Sequence, residues 1–380
     1  MKIAIEGQRL FRKKKHGMDF VALELIRNLQ KIDKENEYYV FVKPDEDVCL
    51  QDTENFRIIH LDGGSYPVWE QKSLPAAVKK YGCQLLHCTS NTAPVTKEFP
   101  LVVHVHDIIY LEKLMLFQKG GTLYQKMGNL YRRWNVPRVM NLAEKVITVS
   151  EFERETIVSR FPELAHKVIA IYNGVSEHFR PVEHEEARAI CDRYGLPGEY
   201  LFYLGNTDPK KNTPNTLKAY ALYRRKSDNP LPLVMIDFGK EAFNKILNDI
   251  GEPDLKQHIH LSDYIRNIDL PAIYSCSTAF LYPSLRESFG IPLLEGMRCG
   301  TPVITANTSS MPEVSGDAAI QCDPENPEEI ADAIYQVTTS PVLRNGLIER
   351  GFKRAAQFSW EKMAREVLAV YRETLKNQKP

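Results

Sequence analysis

Short apolar segments alternate with amphipathic segments along nearly the whole chain, and they do so in two successive series. In the first series the candidate strands are Ile3–Ile5, Tyr39–Val42, Arg57–His60, Leu85–Cys88, Leu101–Val105, Val146–Val149 and Val168–Ile171. In the second series, after the polar stretch Ser176–Glu186, they are Tyr200–Leu204, Leu233–Ile236, His258–Leu261, Ala279–Tyr282, Val303–Ala306 and Ala319–Cys322. Strands that alternate with helices predict parallel sheets with helices on both faces. The chain is therefore predicted to be an α/β protein with two doubly wound domains.

Helix signals fall between these strands. Apolar residues recur at helical spacing over Met18–Leu29 and Thr122–Asn141. The segment Ser150–Glu153 (Ser-Glu-Phe-Glu) has the pattern of a capping box that opens a further helix. Thr213 and Asn326 each precede a proline, which predicts that both are N-caps with proline at the first helical position.

The length of the chain also favours two domains, because 380 residues exceed a typical single domain. We expect the first domain at 1–176, the second at 177–358, and a C-terminal helix within 359–380. Open parallel sheets bind ligands beyond the carboxyl ends of their strands. A ligand site is therefore expected where two such sheets face each other across a cleft.

Charge and cysteine content exclude several classes of protein. The chain has 49 lysines and arginines and 49 aspartates and glutamates, so bulk charge gives no case for a nucleic-acid partner. It begins directly with a predicted strand and has no apolar run approaching ~18 residues, which favours a cytoplasmic protein. The seven scattered cysteines are typical of free thiols. Cys83, His87 and Cys88 are close in sequence, but they fall around a buried strand and no second ligand pair follows, so no metal site is expected.

The run from Tyr282 to Ile304 is the most informative segment for function. It places Glu287 and Glu295 on either side of a Gly-containing turn and a helix start. The amides of Ser288–Ile291 would lie at the N-terminus of that helix, and a helix N-terminus readily binds an anion. The two carboxylates would lie roughly 10 Å apart by helical rise. This arrangement suits a ligand with an anionic middle and hydroxyl-bearing ends, which is the shape of a nucleotide sugar.

This segment, with its Glu-x7-Glu spacing and Glu-Ser-Phe-Gly-Ile-Pro core, resembles the signature of retaining glycosyltransferases of the GT4 type, the glycosyl transferases group 1. Further segments fall in the order that this family shows: His106–Tyr110, Val149–Phe152, Tyr172–Val175, Gly205–Asn212 and Met311–Gly316. The resemblance covers nearly the whole chain. It implies the GT-B fold, in which two Rossmann-like domains face each other across a cleft and a C-terminal helix crosses back to the first domain.

The resemblance implies transfer of a hexose, mannose or glucose, from a nucleoside diphosphate sugar to a hydroxyl of a carbohydrate or lipid-linked acceptor, with retained anomeric configuration. It implies no cofactor and no metal ion, since the sugar nucleotide is a substrate. A bacterial setting in surface polysaccharide assembly is consistent with it. Two alternatives remain at this point: a nucleotide-sugar 2-epimerase of the same architecture, and a non-catalytic scaffold with the GT-B fold that binds a partner glycosyltransferase.

By resemblance, His106, Lys211 and Glu287 are the catalytic candidates. Glu287 would bond the hydroxyls of the donor sugar, and Lys211 would neutralise the diphosphate as it leaves. Glu295 would accept hydrogen bonds from the ribose. His106 would lie by the donor sugar and the acceptor oxygen, and His104 alternates with it on the same face of the strand.

The remaining binding candidates come from the same comparison with the family pattern. Many relatives carry an arginine where this chain has Asn206, so either Lys210 supplies the second charge or the amides of Ser288, Phe289, Gly290 and Ile291 carry more of the phosphate. Tyr264 is predicted to lie near the base. Gly17, in a basic loop, would approach the phosphate or the acceptor, close over substrate or touch anionic lipid; a mobile loop is the alternative.

The segment Thr122–Arg138 mixes aromatic, aliphatic and basic residues at helical spacing. Such a stripe is usual in core packing, but it also suits contact with the inner face of a membrane. Both interpretations stay open from the sequence alone.

Overall fold

The computed structural model describes residues 1–13, 15–112 and 123–376. The chain forms two compact units. The first consists of Met1–Gly174 together with Trp360–Pro380, and the second of Val175–Ser359.

The first unit contains a parallel seven-stranded sheet with the strand order β3-β2-β1-β4-β5-β6-β7. Its strands are β1 (Lys2–Glu6), β2 (Glu37–Val42), β3 (Phe56–His60), β4 (Leu85–Cys88), β5 (Leu101–His104), β6 (Lys145–Thr148) and β7 (Val168–Ala170). The central strands β4 and β5 are buried along their whole length, because helices cover both faces of a parallel sheet.

The second unit contains a parallel six-stranded sheet with the strand order β10-β9-β8-β11-β12-β13. Its strands are β8 (Tyr200–Tyr203), β9 (Leu233–Ile236), β10 (Ile259–Ser262), β11 (Ser277–Tyr282), β12 (Val303–Ala306) and β13 (Ala319–Cys322). Every strand predicted from the sequence is present in one of the two sheets, which confirms the α/β class.

The helices within Met1–Gly174 of the first unit are α1 (Gly17–Ile32), α2 (Tyr66–Val68), α3 (Leu74–Lys80), α4 (Ile109–Glu112), α5 (Leu123–Leu142) and α6 (Glu151–Arg160). The side chain of Ser150 accepts a hydrogen bond from Glu153 N at the start of α6, as the capping pattern predicts. Thr122, the predicted first residue of α5, lies outside the described residues.

The helices of the second unit are α7 (His184–Arg193), α8 (Thr213–Lys226), α9 (Lys240–Asp249), α10 (Leu270–Cys276), α11 (Ile291–Arg298), α12 (Met311–Ser315), α13 (Pro327–Thr339) and α14 (Pro341–Ala355). Asn326 caps α13 through Glu329 N, as predicted. The prediction that Thr213 caps α8 is wrong: Thr213 is already helical, and Asn212 occupies the N-cap position with a left-handed backbone. The Thr213 hydroxyl instead donates to Asn206 O, which holds the preceding loop.

The last helix, α15 (Trp360–Lys376), packs against α1 in the first unit. Tyr371 on α15 is fully buried, and its hydroxyl lies 2.6 Å from Nδ1 of His87 on β4. Lys145 at the start of β6 forms an ion pair of 2.7 Å with Glu373. These contacts fix the amphipathic C-terminal helix predicted from the sequence onto the first unit.

Candidate functional site

Three candidate residues of the second unit lie on loops that follow the carboxyl ends of its strands. Lys211 follows β8, Tyr264 follows β10, and Glu287 follows β11. Because all strands of the sheet are parallel, these loops emerge at one edge, where open α/β sheets bind their ligands.

Lys211 and Glu287 form an ion pair at this edge. Lys211 Nζ lies 2.7 Å from Glu287 Oε1, and the two side chains are only 17% and 12% exposed. Lys211 Nζ also lies 2.8 Å from the hydroxyl of Tyr282, the last residue of β11. Removing a charged group from water is costly unless the group is paired and hydrogen-bonded, and here each side chain has the other as its partner. The structure therefore brings together two of the three predicted catalytic residues.

Two further hydrogen bonds connect the loop after β8 to the loop after β11. Asn212 Nδ2 donates to Pro283 O at 3.0 Å, and Leu285 N donates to Lys210 O at 2.7 Å. Asn212 has φ of 61°, a region that asparagine tolerates better than most residues. The connected loops hold Lys211 beside the loop that carries Glu287.

Asn206 and Lys210 occupy different surroundings from Lys211. Asn206 Oδ1 accepts a hydrogen bond of 2.8 Å from Asp208 N, which closes the turn that leads to the lysines. The Lys210 ammonium lies 3.8 Å from Asp208, and its side chain is exposed. Asn206 thus shapes the loop, whereas the Lys210 charge is partly offset by a neighbouring carboxylate.

Three consecutive hydroxyl-bearing residues after β12 hold the backbone around Glu287. Ser309 Oγ accepts from Glu287 N at 3.1 Å, and Ser310 Oγ lies 2.9 Å from Glu287 O and 3.1 Å from Phe289 O. Thr308 Oγ1 lies 3.4 Å from Leu285 O. Sequence reasoning missed this role of residues 308–310. The run Thr-Ser-Ser directly before the predicted Met311–Gly316 segment was the only sequence signal for it.

Helix α11 begins beyond Glu287 as predicted. Gly290 is its N-cap with φ of 93°, and a Cβ there would lie 3.4 Å from the Leu293 side chain. Phe289 is buried, with its ring 5.8 Å from that of Phe358. The first amides of a helix have no partner within it, and Pro292 at the second position has no N–H. Gly290 and Ile291 thus lie at the start of α11, and an anion site at the amides from Ser288 to Ile291 stays a prediction.

Glu295 lies on α11, in its second turn. The hydroxyl of Tyr274 on α10 donates to Glu295 Oε2 at 3.1 Å. Glu295 keeps some exposed surface, but burial of its carboxyl group raises its pKa to about 7. A carboxyl group with this pKa changes its charge near neutral pH.

Tyr264, the candidate for base contact, lies just beyond β10. Its side chain is 68% exposed, whereas the adjacent Ile265 is buried. The structure places the ring on the surface of the same sheet edge and leaves its predicted role a prediction.

His106 lies in the first unit, just after β5. Its Nε2 lies 3.0 Å from Thr89 O, and its backbone N donates to Asn91 Oδ1 at 2.7 Å. Burial lowers the pKa of His106. Because a carbonyl oxygen can only accept, Nε2 carries the proton and Nδ1 is left as an acceptor.

The His104 ring stacks on that of His106 at a centroid distance of 4.4 Å and an angle of 9°. The two residues share one face of the strand, as the alternation predicts. Burial also lowers the pKa of His104. Asn91, which holds this segment from the loop after β4, has φ of 68° and was not identified from the sequence.

Gly17 is the first residue of α1 in the first unit. A Cβ built at Gly17 meets no atom within 4 Å, so there is open space beside its backbone. In the preceding basic loop, Lys13 pairs with Glu46 and Lys15 pairs with Asp47. The structure thus accounts for two of the loop's positive charges by ion pairs with neighbouring acids.

The aromatic and aliphatic stripe of α5 divides between two faces. Tyr131 and Asn135 point inward, where Tyr131 donates to Glu70 and Asn135 donates to Ala93 O. Met127, Leu130 and Trp134 are 64%, 58% and 43% exposed. One face of α5 therefore packs in the core, whereas contact of the exposed face with a membrane stays a prediction.

The described residues contain neither a cluster of metal-binding side chains nor a membrane-spanning helix. Among residues 1–13, 15–112 and 123–376, no group of three or more His, Cys, Asp or Glu side chains is arranged to hold a metal ion. No helix in the same ranges has the length and apolar character needed to cross a bilayer.

Solved structures with the same fold cover almost the whole chain. Sucrose-phosphate synthase from Thermosynechococcus elongatus superposes with a TM-score of 0.75 and 20% identity over 99% of this chain and 100% of its own. Anabaena HepE in complex with UDP-glucose gives a TM-score of 0.70 and 16% identity over 98% and 100%. The chain has the GT-B fold.

Curated relatives and family models agree with the fold. The O-antigen chain mannosyltransferase B of Escherichia coli is 29% identical over 243 residues, which span 64% of this chain and 64% of that protein. The chain thus matches less than two thirds of the length of this relative. The model of glycosyl transferases group 1 matches residues 195–354, and that of glycosyltransferase family 4 matches residues 16–179. With one model on each unit and most of the chain covered, this protein belongs to the GT4-type glycosyltransferases.

Proposed function

We propose that this protein is a retaining hexosyltransferase that moves mannose or glucose from a nucleoside diphosphate sugar to a hydroxyl of a carbohydrate or lipid-linked acceptor. Family membership supports glycosyl transfer, and the mannosyltransferase relative supports a hexose donor. The UDP-glucose in HepE supports a nucleotide-linked sugar. Because that mannosyltransferase is named for O-antigen chains, we propose surface polysaccharide assembly as the setting.

The pair of Lys211 and Glu287 carries this proposal. It sits at the sheet edge that binds ligands in open α/β folds, and Glu287 lies three residues before the cap of α11. An ammonium group and the amides of a helix N-terminus together suit a diphosphate. A carboxylate beside them suits sugar hydroxyls, and Glu295 farther along α11 suits the two ribose hydroxyls.

Catalysis in this proposal depends on electrostatic stabilisation and positioning. Lys211 and the helix amides stabilise the charge that grows on the diphosphate as the bond to the sugar breaks. His106, neutral and with Nδ1 free to accept, orients a substrate hydroxyl. We assign no nucleophile to Glu287, and we propose that no divalent metal is needed because protein groups offset the diphosphate charge.

A panel of UDP, GDP, dTDP and ADP sugars tests the proposal by thermal shift. A donor that binds only the folded protein must raise its melting temperature. The stabilising donor is then incubated with and without EDTA, and release of nucleoside diphosphate and the anomeric configuration of the product are followed by NMR. We expect activity within a factor of a few in EDTA, and an α-linked product from an α-linked donor.

Three results would contradict separate parts of this proposal. If no donor shifted the melting temperature or was cleaved, glycosyl transfer itself would be wrong. Inversion at the anomeric carbon would exclude a retaining mechanism. Complete loss of turnover in EDTA, restored by magnesium or manganese, would mean that a cation neutralises the diphosphate.

For localisation, we propose that the protein acts in the cytoplasm and contacts the inner face of the membrane through α5. The exposed side chains of Met127, Leu130 and Trp134 support this, because they form one apolar face of an amphipathic helix. Arg138 lies 5.1 Å from the Trp134 ring and adds a positive charge at the end of that face. A lipid-linked acceptor would be presented at such a surface.

A further inference from the structure

The Tyr282 hydroxyl touches the Lys211 side chain in a way that the sequence does not predict. Tyr282 ends β11 and is 2% exposed, so from the sequence it resembles any other aromatic residue of a buried strand. Its hydroxyl lies 2.8 Å from Lys211 Nζ, and its ring centroid lies 4.7 Å from the same atom. The ammonium therefore has two anchors, Tyr282 and Glu287.

The direction of these hydrogen bonds follows from chemistry. An ammonium group only donates, so the Tyr282 oxygen accepts from Lys211. Burial, together with the nearby charge of Glu287, raises the pKa of Tyr282 well above its usual value. The phenol thus keeps its proton at every physiological pH, and its oxygen remains a neutral acceptor for the ammonium.

Two anchors leave one N–H of the ammonium uncommitted. A tetrahedral group held by two hydrogen bonds has its third N–H fixed in direction, whereas one held by Glu287 alone can rotate about that bond. Lysine has a flexible four-carbon stem and loses much rotamer freedom when it is held in one place. A residue that orders the ammonium before the ligand arrives reduces this cost at the binding step.

We propose that Tyr282 is a positioning residue that directs the Lys211 ammonium toward the second phosphate of the nucleotide. It follows that Tyr282 contributes to discrimination between nucleoside diphosphates and monophosphates. This inference rests on the proposed function, because it requires that Lys211 meets the diphosphate of a donor.

The test is calorimetric titration of wild type and Tyr282→Phe with the nucleoside diphosphate identified by the donor panel and with its monophosphate. In Tyr282→Phe the diphosphate should bind roughly fivefold more weakly or worse, on the scale of one hydrogen bond to a charged group. The monophosphate should keep its affinity within about twofold, since it lacks the phosphate that Lys211 meets. The ratio of the two dissociation constants is the readout, because general damage to the unit would lower both affinities together.

Tyr220→Phe is the matched control. Tyr220 is also a fully buried tyrosine of the second unit, and its hydroxyl donates to Leu231 O and His258 O. Its substitution should leave the ratio unchanged. The double variant of Lys211→Met and Tyr282→Phe should have the same ratio of dissociation constants as Lys211→Met alone.

Several results would overturn the inference. An unchanged ratio in folded Tyr282→Phe would do so, as would an equal loss of both affinities. If Tyr282→Phe still reduced the preference for the diphosphate in the Lys211→Met background, Tyr282 would act independently of the lysine. If Tyr282→Phe did not fold, Tyr282→Met would be measured against the same criteria. If wild type bound neither nucleotide, the proposed function and this inference would both be refuted. If wild type preferred the diphosphate and Tyr282→Phe kept the same preference, only the inference would be refuted.

Discussion

At the scale of single residues, the ion pair of Lys211 and Glu287 sets the electrostatics of the candidate site. Each group offsets the charge of the other. A diphosphate would meet the remaining N–H of the ammonium, and its attraction to the ammonium would increase as the bond to the sugar breaks. Interactions that strengthen in the transition state are those that accelerate a reaction.

Substitution of Lys211 tests this point. Lys211→Ala should lower turnover at saturating donor by roughly 10²–10³, the scale seen when one preorganised charge stabiliser is removed. Lys211→Arg should recover only part of the loss, because the guanidinium group is wider than an ammonium. Lys210→Ala is the control and should cost less, since that side chain is exposed and lies near Asp208. A larger loss in Lys210→Ala would mean that the two lysines have each other's proposed roles.

Glu295 gives the site a pH dependence. Its pKa is raised to about 7 by burial, so near neutral pH the free protein is a mixture of both forms. Ribose hydroxyls that donate to the carboxylate would favour the ionised form and lower its pKa on binding. The affinity for the nucleoside diphosphate should therefore fall as the pH is lowered. If binding lowers the pKa of Glu295 by about one unit, which corresponds to a factor of ten in proton affinity, the fall between pH 8 and pH 6 is roughly fivefold.

Calorimetry at several pH values, with Glu295→Gln beside the wild type, checks this expectation. The amide cannot ionise, so the variant should keep only the pH dependence that comes from the phosphate itself. Equal pH profiles in the two proteins would remove Glu295 from the ribose site. A fall in affinity with rising pH would mean that the protonated carboxyl group is the form that binds.

Of the residues in the site, the sequence could predict those that lie inside a recognisable segment. Lys211, Glu287 and Glu295 are of this kind, and the structure places all three at one sheet edge or on the helix that starts there. Tyr274 could not be predicted, because its contact with Glu295 joins two helices that are separate in sequence. The partner of a hydroxyl depends on packing between distant elements, and no local pattern encodes it.

At the scale of secondary structure elements, the strands were predictable because short apolar segments between helices leave few alternatives. Predicted and observed strand ends differ by at most two residues. The start of α8 was predicted incorrectly because threonine before proline is a common cap pattern, whereas here the preceding Asn212 adopts the left-handed backbone that ends the loop. A backbone conformation of this kind depends on its contacts, which for Asn212 are the carbonyls of Pro283 and Pro324.

The loop after β12 provides a test at this scale. Ser310 is fully buried, and Ser310→Ala would leave the carbonyls of Glu287 and Phe289 without its hydroxyl. We expect a loss of about 1–2 kcal/mol in the free energy of unfolding by urea. Turnover should fall more than nucleotide affinity, because Ser310 holds the loop after β11, and that loop carries Glu287, the carboxylate proposed to face the sugar.

Ser315→Ala is the control for Ser310→Ala. Ser315 is a fully buried serine of the same unit, and its hydroxyl accepts from Gln321. Its removal should cost a similar unfolding free energy without a specific loss of turnover. If both variants lost turnover in proportion to stability, the loop after β12 would have no positioning role.

At the scale of the whole molecule, the proposed membrane contact depends on how charge and apolar surface are distributed. The net charge of the chain is zero, so attraction to an anionic surface must come from local features rather than from bulk charge. The outward face of α5 is such a feature, since three large apolar side chains are exposed there at positions i, i+3 and i+7 of one helix. The opposite face of α5 is held by Tyr131 and Asn135, so the outward face can be changed without removing those contacts.

The triple variant Met127→Ser, Leu130→Ser, Trp134→Ser tests whether this face binds lipid. We expect it to co-sediment with phosphatidylglycerol-containing vesicles at least roughly tenfold less than wild type, because three apolar side chains lose the free energy of leaving water. The melting temperature should stay close to that of wild type, since the inward contacts of α5 remain. Val342→Ser is the control: Val342 is 84% exposed on α14, and its removal should leave sedimentation unchanged. If the triple variant bound vesicles as well as wild type, α5 would not be the membrane contact. If the triple variant lost its binding to neutral vesicles but kept its binding to anionic ones, the basic residues beside this face would supply most of the affinity.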